Sequence, residues 1–271
     1  MTTSKPQRIL VTGGNTYTGI SIAAALLADG AEVTLLIRPG TEDRLGPLEQ
    51  RVRWFAADIW DSASLRGRAR GHRCVIHTVG SMIDDPKQGL TYHRLNVISA
   101  RNAVNMCISD GVPRMVLLST VSAPWVKRQY VRAKREAETY IARVGVEAAI
   151  VRAPLTYGRG QPRSMFYRLM TLLGSIPPLS WTLPGRIAPM PLDMLARGVA
   201  RIALMDSLPQ SLYFPRDVRR LNKREERRGT LPAMLSFDTL ATNAPPRPVD
   251  ILDEDTPFGW TPPTADREQR F

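Results

Sequence analysis

Short continuous apolar runs and longer segments with helical spacing take turns along most of this chain. Ile9, Leu10 and Val11 form a run of the kind that a parallel strand buried on both faces needs. Small apolar residues at helical spacing follow over residues 17–27, and residues 31–37 supply a second strand. The same alternation predicts strands at 52–56, 74–79, 114–119 and 148–151, with helices near 62–70, 89–110 and 130–144. Strand and helix in repeated succession imply right-handed crossovers, so the expected fold class is α/β, a doubly wound parallel sheet. Ligands of such a sheet bind along the carboxyl ends of its strands.

Beyond Pro154 the pattern loosens. A helix is predicted near 165–173, then a proline-broken apolar stretch at 175–185, then an amphipathic helix at 192–204. The broken stretch reads equally as a lid over a substrate or as a segment that binds a partner protein. From Pro209 onward prolines, charges and aromatics mix, and the Pro245-Pro246 and Pro262-Pro263 pairs mark an extended tail. The expected organisation is a ligand-binding sheet domain at 1–160, a small C-terminal substrate or partner region at 161–240, and a proline-rich tail at 241–271.

Composition narrows the function classes. With 271 residues, 43% hydrophobic and 23% charged, the chain has the make-up of a soluble domain with a sizeable core. No apolar run reaches the ~18 residues of a membrane helix, and residues 1–8 lack the apolar core of a signal peptide, so a cytoplasmic location is expected. Cys74 and Cys107 fall in apolar strand and helix patterns and are read as reduced, buried thiols. His72, His77 and His93 lack ligand spacing with them, so no metal is expected. The net charge of +12 is spread without a nucleic-acid motif. Its one dense cluster, residues 216–228, reads as a solvated helix face or as a contact for an acidic partner, which would permit peripheral docking on a membrane complex.

Two groups of residues carry chemistry. Gly13 and Gly14 lie between the first strand and its helix; they make either a tight turn or, with the helix dipole and free amides, a cradle for a pyrophosphate. The second strand ends on Arg38 where an acidic ribose partner is usual, which suits either a 2′-phosphate, hence NADP over NAD, or a solvated strand end. The second group is Tyr130 and Lys134, four apart on one helix face. An ammonium near a phenol would lower its pKa from ~10 and let it trade a proton with a carbonyl or hydroxyl oxygen. The arginine-rich surroundings also fit a surface aromatic beside a solvated charge.

With these residues in order, the chain resembles the short-chain dehydrogenase/reductase superfamily in its extended and atypical branches. The resemblance is carried by Thr12 to Gly19, Asp58-Ile59, His77-Thr78-Val79-Gly80, Asn96, Leu118-Ser119-Thr120, Tyr130 with Lys134, and Arg152 to Gly158, over residues 8–204. It implies a Rossmann sheet whose pyrophosphate loop is Gly13, Asn15, Thr16, Tyr17, Thr18 and Gly19. Arg38 would take the 2′-phosphate, Asp58 and Ile59 would flank adenine, and Thr78, Val79 and Gly80 would line the coenzyme. Pro154 and Leu155 would lie beside the nicotinamide, with Tyr130 and Lys134 as catalytic base and helper and Ser119 or Thr120 polarising the substrate oxygen. Asp58 also reads as a helix cap, Asn96 as a structural hydrogen-bonder and Pro154 as a strand end.

Departures from the family pattern temper what it implies. Thr16 replaces the middle glycine of the loop, so a side chain is expected to intrude on the phosphates. Val121 holds a position where some extended members carry the polarising hydroxyl, Ser122 is a further candidate, and Tyr130 follows Thr120 by only ten positions. The leading expectation is an NADP-dependent oxidoreductase or epimerase-like enzyme acting on a small molecule, with NAD as the other coenzyme. The alternatives are a non-catalytic NADPH-binding accessory or assembly subunit, as in respiratory complex I, and a dinucleotide-sensing regulator similar to the NmrA-like branch, whose members usually lack the tyrosine.

Overall fold

The computed structural model of the protein describes residues 6–158 and 187–223. Strands β1 (Arg8–Thr12), β2 (Glu32–Ile37), β3 (Arg53–Ala56), β4 (Cys74–His77), β5 (Arg114–Thr120) and β6 (Glu147–Ala153) are joined by β9 (Leu212–Tyr213) in one sheet. Its order is β3-β2-β1-β4-β5-β6-β9, and every pairing is parallel. The order reverses between β1 and β4, which opens a crevice at their carboxyl ends. A two-stranded pair, β7 (Thr156–Tyr157) with β8 (Met190–Pro191), stands beside the sheet.

Alternation along the strands builds both faces of the core. Ile9 and Val11 point to one layer, with Ile22 and Leu26 of α1 (Tyr17–Ala28) and Val199 of α5 (Leu192–Leu204). Leu10 points to the other, with Val104 of α3 (Ser99–Asp110) and Ile141 of α4 (Arg128–Arg143). Strands buried on both sides need continuous apolar sequence, which is why they were legible. Cys74 and Cys107 are free and buried, and burial pushes both thiols up, Cys107 to about 12.

Several elements differ from expectation for local reasons. The helix predicted at 62–70 stops as α2 (Ser62–Leu65), because Gly67 takes a left-handed φ of +75° and the Asp110 carboxylate accepts from the Gly67 and Ala69 amides at 2.9 and 2.8 Å. The helix expected from residue 89 is interrupted by Gly89 at φ +72° and begins with a π-helical turn, Arg94–Ile98, before α3. Strand β4 ends at His77, two residues short. The 3-10 helix Glu42–Leu48, the β7–β8 pair and β9 were not anticipated, since two-residue strands carry no periodic signal, while α6 (Pro215–Leu221) takes in the start of the basic cluster read as a helix face.

On α6, Arg216 and Arg220 are exposed as a solvated face requires, while Arg219 turns inward to donate to the carbonyls of Ala188 and Pro189. The predicted helix at 165–173, the broken stretch at 175–185, the tail at 241–271 and the end of the basic cluster lie outside the described residues. No helix among the described residues is long and apolar enough to cross a membrane.

Candidate functional site

The loop between β1 and α1 is held by its own glycines. Gly13 sits at φ +69°, and a β-carbon there would lie 2.7 Å from the Thr78 hydroxyl oxygen, which donates to the Thr12 carbonyl at 2.6 Å. A β-carbon at Gly19 would collide with the Gly13 carbonyl. The Gly14 amide donates to the Leu36 carbonyl at 3.0 Å, fastening the loop to β2. Helix α1 opens at Tyr17 directly behind this loop, so its N-terminal end faces the crevice.

Thr16 is held by the loop itself. It is the N-cap of α1, at φ −89° and ψ 156°, a conformation that needs no glycine. Its hydroxyl donates to the Gly13 carbonyl at 2.8 Å and accepts from the Gly19 amide at 3.0 Å. The hydroxyl is therefore engaged inside the loop rather than aimed at a phosphate.

An open cleft of about 380 Å³ runs from Gly13, Asn15 and Thr16 past Arg38 to Ala57, Ile59 and Val79. Ile59 is fixed from behind, where the Asn102 side chain of α3 donates to its carbonyl at 2.9 Å. Asp58 does not line this cleft. Its carboxylate accepts from the Trp60 amide at 2.7 Å, and burial raises its pKa above the usual carboxylate value. The helix cap on α2 is Asp61, not Asp58.

The other expected residues gather farther along the same edge. Tyr130 is buried, 8% exposed, among Tyr92, Val121, Val126 and Ile187, and its hydroxyl pairs with the Thr120 side chain. Burial pushes the phenol up; the Thr120 bond and the Arg135 guanidinium oppose the rise without cancelling it. The lowered phenol expected from the lysine spacing is thus not what this structure has. Lys134, 3% exposed, donates to the Leu118 carbonyl at 3.2 Å, and its Nζ lies 5.9 Å from the Tyr130 ring centre. Burial brings its pKa down to about 8.

Ser119 and Thr120, adjacent on β5, face different neighbours. Ser119 donates to the Glu138 carboxylate, which also accepts from Arg135 and, at 2.6 Å, from Arg152. Arg135 reaches on to the Thr120 carbonyl at 2.8 Å. Only Thr120 is placed with the tyrosine. Asn96 is a structural hydrogen-bonder: its side chain accepts from the Ser81 amide and donates to the Ser81 and Tyr92 carbonyls at 3.0–3.1 Å. Pro154 and Leu155 follow β6 on the same edge, where the Leu155 carbonyl accepts from the Met190 amide.

A glycine-lined loop, amides at a helix start and a cleft between β1 and β4 together suit a dinucleotide. The NAD(P)H-binding family model matches residues 13–166, more than half of the chain. The chain belongs to the NAD(P)H-binding family. The cofactor of this NAD(P)H-binding protein is NAD(P).

Over 119 residues it is 30% identical to short-chain dehydrogenase/reductase family 42E member 1 of Danio rerio, covering 43% of this chain and 30% of that one. It is 27% identical over 179 residues to a ceramide reductase of Caulobacter vibrioides, covering 64% and 54%. The chain spans about half or less of the length of these curated relatives. Among solved structures it superposes on the Bordetella bronchiseptica enzyme WbmG in complex with NAD with a TM-score of 0.58 at 16% identity, over 78% of this chain and 73% of that one. Vestitone reductase from alfalfa gives 0.54 at 20% identity, over 77% and 76%. At such identities the likeness is one of fold.

Sequence reading missed two residues that brace this edge of the sheet. Asn102 supports Ile59, and Arg135 joins Thr120 to the Glu138 cluster. The one signal for Asn102 was a polar side chain within an apolar helical pattern. Arg135 carried none, because it stood among several arginines that point to solvent.

Proposed function

We propose that the protein is an NADP-dependent oxidoreductase or epimerase-like enzyme acting on a carbonyl or secondary alcohol, with Tyr130 and Lys134 as its acid–base pair. One observation carries this reading: Thr120, Tyr130 and Lys134 converge at the carboxyl end of β5, on the same sheet edge as the glycine loop and the Arg38 cleft. The loop from Gly13 through Asn15, Thr16, Tyr17 and Thr18 to Gly19 would hold the pyrophosphate and Arg38 the 2′-phosphate. Ile59 would flank adenine, with Asp58 bracing the turn behind it, and Thr78, Val79, Gly80, Pro154 and Leu155 would lie along the remainder. The coenzyme, when bound, supplies or accepts the hydride.

Tyr130 exchanges a proton at its hydroxyl with the substrate oxygen, and Thr120 orients that hydroxyl. Lys134 places a positive charge beside the ring and so favours the phenolate once a ligand admits it. Ser119, bound to Glu138, fits a supporting role better than a polarising one. The relatives named above include a ceramide reductase, so lipid carbonyls lead the substrate panel.

The test is NADPH oxidation across that panel. Tyr130→Phe is expected to lower turnover about 100-fold or more while leaving NADPH binding unchanged. NADPH binding without consumption by the parent protein would sink the enzyme reading. It would favour an accessory, non-catalytic role, which draws on one observation of its own: the hydroxyl of Tyr130 is buried and its proton held more tightly than in a free phenol.

A further inference from the structure

Gly80 stands three residues beyond His77, the last residue of β4, at φ +151°, where side chains other than hydrogen are strained. What it faces is more specific than backbone strain. A β-carbon at Gly80 would run into the Lys134 ammonium, lie 2.5 Å from the Asn96 side-chain oxygen, and sit 3.2 Å from the lysine Cε. Asn96 cannot give way easily. It is 1% exposed, sits in the π-helical turn before α3, and is held on three sides by bonds to Ser81 and Tyr92. The ammonium donates to the Leu118 carbonyl, so its seat is walled by β5 on one side and by the Gly80 backbone on the other.

We infer that Gly80 is a positioning residue for Lys134: the missing side chain at this position is the space in which the ammonium sits at the strand ends. The inference rests on the reading of Lys134 as part of the coenzyme and acid–base site, and it adds what keeps that lysine in place. In the seat the ammonium is shut off from water, in keeping with its reduced proton affinity. The charged and titratable groups around it are Glu138 on its own helix, His77 on β4 and Tyr130 one turn away. A methyl group at residue 80 would push the ammonium out toward solvent, where it regains hydration.

The chain has five lysines, so ¹³C NMR of ε-labelled lysine resolves Lys134, assigned by loss of its signal in Lys134→Met. In the parent its titration midpoint is expected near 8, and in Gly80→Ala it is expected to rise by about one unit or more toward the ordinary 10.5. Affinity for NADPH should fall about tenfold, the worth of one hydrogen bond to a charged group. An unchanged midpoint in a folded Gly80→Ala protein overturns the inference. A shifted midpoint with unchanged NADPH affinity upholds the seat and removes Lys134 from the coenzyme site instead.

Should Gly80→Ala fail to fold, the double variant Gly80→Ala/Lys134→Ala decides. Recovery of a cooperative melt places the cost in the clash with lysine. No recovery places it in the backbone at φ +151° and overturns the inference.

Discussion

At the scale of single residues, the site depends on which side chains the fold engages internally and which it leaves facing the cleft. Thr16, Asp58 and Ser119 all match family positions, yet each has its polar group bonded within the protein: Thr16 to the loop, Asp58 to its own turn, Ser119 to Glu138. Arg38 lines the cleft and is the residue on which coenzyme choice is expected to turn. Arg38→Asp replaces a cation with a carboxylate that accepts a ribose hydroxyl and repels a phosphate, so the ratio of NADP to NAD affinity should fall about tenfold or more. Fluorescence titration with both coenzymes measures it, and an unaltered ratio would remove Arg38 from the ribose site. The motif made these residues findable. It held no record of their hydrogen-bond partners, which come from strands and turns distant in sequence.

At the scale of elements, the entry to α1 joins stability to binding. The Thr16 cap closes the loop that would hold the pyrophosphate, and its loss by Thr16→Ala should cost about 1 kcal/mol, which lowers the melting temperature by about 2–4 °C for a domain of this size. Thr16→Gly, whose exposed backbone is itself an acceptable cap, should cost only a few tenths of that. Thermal melts of the two variants side by side check this; equal losses would mean that the threonine hydroxyl is not the stabilising group. Elements with a long apolar period, such as α5, were legible to the residue. Those ended by a glycine in a left-handed conformation, such as α2, were overrun, because Gly67 stops the helix only with Asp110 of α3 supplying the matching acceptor.

At the scale of the whole molecule, the interior holds histidines that acid must charge. His77 is fully buried, shares a hydrogen bond with Thr12 at 2.9 Å, and has its pKa brought down to about 3, chiefly by burial; His72, bonded to Thr34 and Ala69, is lowered for the same reason. A folded pKa below the unfolded value of about 6.5 means that the unfolded chain binds more protons between the two, so stability is complete above about 6.5 and declines as pH falls toward 3. The slope is up to ~1.4 kcal/mol per pH unit for each histidine. Urea midpoints at neutral and mildly acidic pH should show this decline, and His77→Gln should flatten it; parallel slopes would exclude His77 as a source.

The amino-acid sequence by itself determined the alternation of strands and helices, the parallel doubly wound class and the position of the glycine loop between the first strand and its helix, because buried strands, amphipathic helices and glycine turns write their requirements into neighbouring residues. Tertiary structure alone decided that Thr120 rather than Ser119 meets Tyr130, that the tyrosine is sealed in an apolar cluster, and that Lys134 rests in the gap at Gly80. Each of these follows from burial and contact between elements far apart in the chain. Such contacts set local dielectric and available space, and no short stretch of sequence encodes either.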